Sequence, residues 1–231
     1  MYLPRFVLPE LLDRLPNDDP NAVAIRRDLS SINTLARTVG SLAGLLLRHA
    51  AEPPRVLIDI GSGDGSVMLR VAKRLAPRWR NVTAILVDQQ NAVTQETRDA
   101  FAALGWRAEP AVGDIFDYLD QAKPASAQVM TANLFLHHFE NDQLARLLAG
   151  AARVTSLFVA CEPRRSRLTL RGSTVLWMIG CNDMSCYDAI TSAWAGFRGK
   201  ELSALWPQEP AWQLHEDKAG LFLQSFVAKR I

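Results

Sequence analysis

The chain has 231 residues, and its 26 basic and 24 acidic side chains leave a formal net charge of only +2. Of the residues, 48% are apolar, which is enough for one large domain with a full hydrophobic core. A surface that binds nucleic acid normally carries a clear basic excess, so this charge balance argues against a nucleic-acid partner.

The composition also indicates a cytoplasmic protein. The three cysteines, Cys161, Cys181 and Cys186, are odd in number and show no CxxC pairing, which is typical of reduced thiols and predicts no metal site. We find no basic and apolar targeting segment at the start of the sequence. The longest apolar stretch, residues 39–47, is too short to cross a bilayer and contains two glycines, so we expect no integral membrane segment.

Residues 1–54 are predicted to form a helical leader ahead of the main domain. The first 28 residues contain four prolines, which favours short helices with irregular joints. Residues 29–49 show helical apolar spacing throughout and predict one helix. Three roles stay open for this leader: a lid over a bound ligand, an arm that forms a homodimer, or packing alone.

Residues 55–231 are predicted to form an α/β domain. Apolar, β-branched runs alternate five times with segments of helical spacing, which indicates a doubly wound, mainly parallel sheet with helices on both faces. A loop is expected where residues 113–116 follow the third strand. The predicted strands are residues 56–60, 82–87, 106–112, 127–132 and 154–160, and predicted helices begin near residues 66, 91 and 144.

The alternation of strands and helices ends at Pro163. Residues 164–206 show helical spacing and are predicted to form a cap that holds the substrate. Residues 212–215 and 221–228 are predicted as two closing strands, joined by a hairpin across residues 217–220. The expected fold is therefore a seven-stranded, mainly parallel sheet with a C-terminal antiparallel hairpin and a helical N-terminal lid.

A glycine-rich loop joins the first predicted strand to the first helix of the domain. It contains three alternate glycines, Gly61, Gly63 and Gly65. Without side chains at these positions the backbone can turn sharply and approach a ligand closely. In an open parallel sheet, ligands bind beyond the carboxyl ends of the strands, which is where this loop lies. The unit therefore predicts a site for a nucleotide-like cofactor.

Polar side chains also lie at the ends of the other predicted strands. Asp88 ends the second strand, where a carboxylate can accept two hydrogen bonds from a ribose diol, although an acid there can instead cap a helix. Asp59 lies within the first strand, where it supports the loop or contacts a cofactor ammonium. The remaining strand-end residues are Asp114, Asn133, His137, His138 and Glu162.

These motifs, taken in order, resemble those of the class I S-adenosylmethionine-dependent methyltransferases. The resemblance rests on residues 58–66, Asp88, residues 113–115 and residues 133–139, and on GxGxG spacing where dinucleotide folds more often show GxGxxG. It implies S-adenosylmethionine as the cofactor. The residues that it implies in cofactor binding are Asp59, Gly61, Ser62, Gly63, Asp88, Gln89, Asp114, Ile115 and Asn133.

The two histidines after the fourth strand make the chain similar to the small-molecule branch of that family. The branch acts on quinones, phenols and related secondary metabolites, which implies a small hydroxylated, aromatic or polyketide-like acceptor, with oxygen slightly favoured over carbon. An imidazole with an ordinary pKa of about 6.5 can remove the acceptor proton, so His137 and His138 are the candidate catalytic residues. Adjacent side chains of a turn point in different directions, so we expect at most one to act as the base. Alternatively, both position the loop, or one of them caps the helix predicted over residues 140–151.

Three residues beyond the fifth strand are predicted to bind the substrate: Glu162, Arg164 and Trp177. Arg164 meets an acidic or phenolate group, or forms ion pairs on a solvated turn. Trp177 lines an aromatic pocket, or packs within the cap. Two other functions stay open. One is an NAD(P)-dependent oxidoreductase on the same fold, for which no Tyr-x-x-x-Lys pair is seen, and the other is a non-catalytic methyltransferase-like partner protein.

Overall fold

The chain forms a mixed α/β domain around one seven-stranded sheet. The computed structural model describes residues 3–12, 15, 19–35, 37–174 and 176–231, and for residues 26, 29–31, 33–35, 177 and 179 it describes the backbone alone. The strands are β1 Val56–Ile60, β2 Thr83–Asp88, β3 Arg107–Val112, β4 Ala127–Asn133, β5 Thr155–Pro163, β6 Trp212–Ala219 and β7 Leu223–Arg230. The helices are α1 Pro20–Leu35, α2 Thr38–His49, α3 Ser66–Leu75, α4 Gln95–Ala103, α5 Ile115–Gln121, α6 Asn141–Val154, α7 Arg167–Ser173, α8 Asp183–Ala195 and α9 Glu201–Leu205.

The order of the strands creates a crevice between β1 and β4. The sheet runs β3-β2-β1-β4-β5-β7-β6, with β1 to β5 parallel and β7 antiparallel to both of its neighbours. The chain leaves β1 toward β2 and leaves β4 toward β5, so the connections after these two adjacent strands run in opposite directions. Such a switch point opens a ligand crevice at the carboxyl ends of the strands. The predicted fold class is confirmed.

Apolar residues fill both faces of the sheet. Ile58 and Ile60 belong to a buried cluster with α5, α6 and α9, while Leu57 belongs to a second buried cluster with α2, α3 and α4. Successive side chains of a strand point to opposite faces, so a strand covered on both sides must be apolar at nearly every position. Asp59 breaks this rule in β1, because it is a carboxylate with 3% of its surface exposed.

The leader differs from the prediction in two ways. The single helix expected over residues 29–49 is wrong, because α1 and α2 are separate helices and Arg37 between them has a left-handed backbone with φ of 57°. The second difference is that α2, which belongs to the predicted leader, packs closely against the α/β domain. Its buried face, with Leu42 and Leu46 fully buried, packs on the sheet and on α3.

Three boundaries also differ, each for a local reason. The loop expected over residues 113–116 is wrong, because Asp114 caps α5 and its Oδ1 accepts a hydrogen bond of 2.7 Å from the Phe116 N–H. Helix α4 starts later than expected, because Thr94 caps it. The closing hairpin turns at residues 220–222 rather than 217–220, since Ala219 still pairs with Leu223.

The segment predicted to be a helical cap contains α7, α8 and α9, with a short 3₁₀ turn at Leu176–Ile179. It follows β5 directly and lies beside the carboxyl ends of the strands, where Arg164 bridges to Phe197. Within the described ranges, no helix is long and apolar enough to cross a membrane.

Candidate active site

The glycine loop after β1 has the tight geometry that its sequence predicts. Gly61 and Gly65 have φ of +66° and +76°, in the left-handed region that only glycine adopts readily. A Cβ atom on Gly61 would lie 2.2 Å from the Phe135 ring, so a side chain at this position is excluded by space as well as by conformation. The loop backbone can therefore approach both this ring and a ligand closely.

Asp88 at the end of β2 holds the glycine loop in place. Its Oδ2 accepts a hydrogen bond of 2.8 Å from the Gly63 N–H, and its Oδ1 accepts one of 2.9 Å from the Gln90 N–H. Each carboxylate oxygen has a second lone pair, so the side chain retains acceptor capacity toward a ligand. Asp88 thus combines loop support with an acceptor that faces the crevice.

Asp59 is a buried carboxylate whose ionisation is suppressed. Burial, against a smaller opposing effect of the 2.6 Å hydrogen bond from Thr131 Oγ1, raises its pKa to about 7, and the nearby charge of Asp88 adds to the rise. Asp59 lines the crevice beside Gly61. A cationic group bound there would favour the ionised carboxylate and would draw this pKa down.

Replacement of Asp59 by asparagine is expected to change how stability depends on pH. Because its pKa is raised in the native state, the folded protein keeps this proton up to about pH 7 while the unfolded chain releases it near pH 4. The free energy of unfolding therefore falls as pH rises through this window. Asp59→Asn removes that fall. Between about pH 4 and about pH 8, the free energy of unfolding of the variant should rise by about 2–4 kcal/mol relative to that of the wild type. Urea unfolding measures the difference, and a pH-independent difference would contradict the prediction.

Further polar side chains lie around the crevice, at or directly after the ends of β1, β2, β3 and β4. Gln89 Nε2 donates to Asp114 Oδ2 over 3.2 Å, which joins the two segments that flank the crevice. Asn133 Oδ1 and Ser62 Oγ are buried and have no hydrogen-bond partner among the described residues. Buried polar atoms are nearly always paired, so these two atoms indicate a place for a polar ligand.

His137 is clamped between two buried carboxylates. Its Nδ1 lies 2.8 Å from Glu162 Oε2, and its Nε2 lies 3.2 Å from Glu10 Oε1. Burial alone would lower the pKa of His137, but the hydrogen bonds to Glu10 and Glu162 outweigh it and raise the pKa to about 9. The imidazole is therefore held as a cation at neutral pH.

The two histidines lie closer together than predicted. Their ring centroids are 4.3 Å apart with an interplanar angle of 36°, so the expectation that adjacent side chains of this turn point apart is wrong. The 3₁₀ turn at Leu136–His138 winds tightly enough to bring the rings side by side. His137 is buried with 2% exposure, whereas His138 is only partly buried.

These groups surround a single cavity of about 640 Å³. Its volume lies within the range of small-molecule sites. Nine of the residues predicted to act at a site line it together, which brings the predicted cofactor loop and the histidines into one space. They are Asp59, Gly61, Ser62, Asp88, Gln89, Ile115, Asn133, His137 and His138.

Four predicted site residues do not line the cavity: Gly63, Asp114, Glu162 and Arg164. Glu162 is fully buried, and besides contacting His137 it accepts hydrogen bonds of 3.0 and 2.9 Å from the Phe135 and Leu136 N–H groups. These contacts favour a role in holding the loop over direct contact with a substrate. The side chain of Trp177, which was also predicted to bind the substrate, lies outside the described residues.

Glu10 lines the cavity and was not predicted to be a site residue. It is 7% exposed and contacts His137, which lies 127 residues further along the chain. Its pKa is lowered, because the hydrogen bonds and charges of the histidines outweigh the effect of burial. The only local signal is one acid within an apolar run, Val7-Leu8-Pro9-Glu10-Leu11-Leu12, which does not specify a partner.

The fold and the crevice are similar to those of the class I S-adenosylmethionine-dependent methyltransferases. The groups in the crevice fit that family's cofactor, since a buried carboxyl and two unpaired buried polar atoms lie beside a loop whose backbone a ligand can approach. A family model described as a methyltransferase domain matches residues 57–156. The matched range runs from β1 to the start of β5 and contains the glycine loop, and together with the fold it supports S-adenosylmethionine as the cofactor.

Solved structures with the same fold include several methyltransferases. The mitomycin 7-O-methyltransferase MmcR is 18% identical with a TM-score of 0.63, over 95% of this chain and 60% of its own. The plantazolicin methyltransferase BpumL, in complex with SAH, is 15% identical with a TM-score of 0.64, over 93% of this chain and 92% of its own.

A third structure is an O-methyltransferase family protein from Burkholderia thailandensis, 15% identical with a TM-score of 0.55 over 91% of this chain and 58% of its own. The chain thus spans about three fifths of the length of this protein and of MmcR. At these identities the likeness is one of fold. No protein of curated function matches the chain in sequence.

Proposed function

We propose that this protein transfers the methyl group of S-adenosylmethionine to a small hydroxylated metabolite, aromatic or polyketide-like, with oxygen as the favoured acceptor atom. The observation that supports this proposal most directly is that the glycine loop and the histidine pair line the same cavity. The sulfonium methyl of the cofactor is already a strong electrophile. The protein must therefore align the acceptor and promote the loss of its proton.

The walls of the cavity on the histidine side favour an aromatic acceptor. Phe135, Phe139 and Phe222 contribute rings, and Leu176 and Ala193 add apolar surface from the cap. Aromatic walls bind flat apolar ligands, and a few polar groups among them orient the ligand. Secondary metabolites with phenol or enol groups combine both properties.

The two histidines receive different roles in this proposal. His138 is the partly exposed ring beside the cavity and is the group proposed to act on the acceptor proton. Both nitrogens of His137 are occupied by carboxylates, and its raised pKa keeps it protonated. His137 therefore serves to fix the position of its neighbour and of the loop.

The proposed residues for the cofactor are those at the crevice. Asp88 accepts from the ribose, Asp59 lies opposite the ammonium, and Gln89, Asp114 and Ile115 form the adenine side. Asn133, whose buried Oδ1 has no hydrogen-bond partner among the described residues, is the residue proposed to face the reacting methyl. Gly61 and Gly63 act through their backbone.

A direct test incubates the protein with methyl-labelled cofactor and a panel of phenols, hydroquinones and hydroxylated polyketides. We expect label in an ether methyl group, and mass spectrometry with NMR separates this from C-methylation. Matched acceptors whose hydroxyl is already methylated are the control and should gain no label. Binding of S-adenosylhomocysteine without any labelled product would instead support the non-catalytic partner, and preferential binding of NAD(P) would support the oxidoreductase.

We further propose that the first part of the leader is the lid of this site. Glu10, Leu12 and Ile32 line the cavity. The Leu11 and Leu12 N–H groups donate to the carboxylate of Asp188 in α8, over 2.7 and 3.1 Å. The cap therefore holds this segment over the histidines.

Arg5 ties the same segment to the loop after β4. Its guanidinium donates to the carbonyls of Ala195, Phe139 and His137, over 2.7, 2.8 and 3.2 Å, and it lies 4.7 Å from the centroid of the Phe197 ring. Hydrogen bonds to a charged group are worth roughly 1.5–3 kcal/mol each when buried. This one side chain is therefore expected to contribute much of the free energy that favours the closed position of the lid over an open one.

Arg5→Ala is expected to raise the KM for the acceptor about tenfold, because loss of these bonds shifts the lid toward an open state. Limited proteolysis should also cut the first twenty or so residues faster than in the wild type. Arg80→Ala, an exposed arginine between α3 and β2, is the matched control and should change neither value. Unchanged KM and cleavage in Arg5→Ala would exclude the lid.

A further inference from the structure

Three metal-binding side chains converge on the acceptor side of the cavity. Glu10, His137 and His138 each offer a ligand atom, and these atoms all lie within 4.8 Å of one another. Among the described residues this is the one such group of histidine, cysteine and acidic side chains. Two of the three side chains are buried, so they are not a solvated surface cluster.

The distances between the ligand side chains suit a shared ion. Two ligands at 2.0–2.1 Å from a tetrahedral metal ion lie about 3.3 Å apart. Glu10 Oε1 and His137 Nε2 are 3.2 Å apart, and the His138 ring lies at 4.3 Å from the His137 ring, centroid to centroid. An ion bound here would displace the proton that His137 Nε2 shares with Glu10 Oε1. Small rotations of the side chains would then place all three ligand atoms around one ion.

The surrounding contacts are those that support metal ligands in other proteins. A histidine ligand usually directs its second nitrogen at a carboxylate, which fixes the orientation of the ring. Glu162 makes this contact with His137 Nδ1 at 2.8 Å and is itself held by backbone N–H groups. Ser192 Oγ donates to Glu10 and orients that carboxylate in the same way.

The group also leaves coordination positions open toward the cavity, since all three side chains line it. Three protein ligands with an open position are typical of catalytic rather than structural metal sites. Two imidazoles and one carboxylate suit zinc, cobalt, iron or manganese in the divalent state.

We propose that Glu10, His137 and His138 bind one divalent transition-metal ion, and that the acceptor hydroxyl binds to this ion before methyl transfer. This inference rests on the proposed function, and it adds that the methyl acceptor is recognised through the metal ion. A metal ion lowers the pKa of an oxygen bound to it, so the hydroxyl releases its proton to solvent. The oxygen then uses one of its electron pairs to form the new C–O bond as the C–S bond breaks. The electron pair of the broken C–S bond stays on the sulfur. No oxidation or reduction takes place.

The site was not predicted because its ligands come from the leader and from the loop after β4, far apart in the chain. In this arrangement His138 acts through the ion instead of accepting the proton itself. The lid then supplies a ligand, which makes closure and acceptor binding parts of one event.

The test titrates cobalt(II) into the full chain after treatment with a chelator and desalting. We expect one equivalent to bind, with visible absorption bands of a four- or five-coordinate ion and no thiolate charge-transfer band, and zinc should displace it. His138→Ala and Glu10→Gln should each weaken binding at least 100-fold. The chelated protein should lose at least tenfold in turnover and regain it with zinc.

The chain offers a matched control in a second histidine pair, His49 and His215, whose ring centroids are 5.2 Å apart. His49→Ala should bind cobalt like the wild type. S-Adenosylhomocysteine affinity, measured in parallel, should be unchanged in His138→Ala. No cobalt bands, or equal bands in His138→Ala and the wild type, would overturn the metal site. If methyl transfer still occurred in that case, the proposed function would stand without it.

Discussion

Asp88→Ala is expected to weaken binding of S-adenosylmethionine at least 100-fold while leaving the protein folded. The carboxylate supports the glycine loop through Gly63 and Gln90, and it is the acceptor proposed for the ribose. Hydrogen bonds to a charged acceptor are worth roughly 1.5–3 kcal/mol each, and every 1.4 kcal/mol is a factor of ten in affinity. Loss of two such interactions therefore suffices for the expected change.

Calorimetry with S-adenosylhomocysteine measures this effect, and circular dichroism with urea unfolding checks the fold. Asp114→Ala is a comparison rather than a control, because Asp114 is proposed to lie on the adenine side but caps α5 and does not line the cavity. We expect this variant to lose about tenfold in affinity at most, together with about 1 kcal/mol of stability. Wild-type affinity in Asp88→Ala would show that the cofactor binds elsewhere.

His138→Ala is expected to lower turnover by a factor of about 10² to 10⁴, the usual contribution of a group that promotes proton loss. Cofactor affinity should stay within about twofold of the wild type, since the acceptor side rather than the glycine loop is changed. Initial rates with the acceptor found in the labelling screen, compared with calorimetry, separate the two effects. Wild-type turnover would remove His138 from the reaction.

The neighbouring histidine provides a contrasting case. His137→Ala leaves the buried carboxylate of Glu162 without its charged partner, and breaking a buried ion pair costs about 3–5 kcal/mol. We therefore expect His137→Ala to lose stability as well as activity, whereas His138→Ala loses activity alone. His49→Ala serves as the control for both and should retain both properties.

The local sequence predicted most of the sheet and the cofactor side of the crevice. In runs such as Val56–Ile60 apolar side chains point to both faces of the strand. Such strands need cover on both faces, which is typical of a parallel sheet. The position of the glycine loop and of Asp88 follows, because parallel strands place their carboxyl ends at one edge. The errors lay in local detail, such as the break at Arg37 and the start of α5 at Ile115, directly after its cap Asp114.

The acceptor side depended on contacts between distant parts of the chain. The pairing of Glu10 with His137, the division of roles between two adjacent histidines and the burial of Glu162 leave no periodic signal in sequence. Apolar periodicity specifies which face of an element is buried, and a strand end specifies an edge of the sheet. Which leader residue reaches that edge is decided only when the cap, through Asp188 and Ala195, fixes the path of the leader across it.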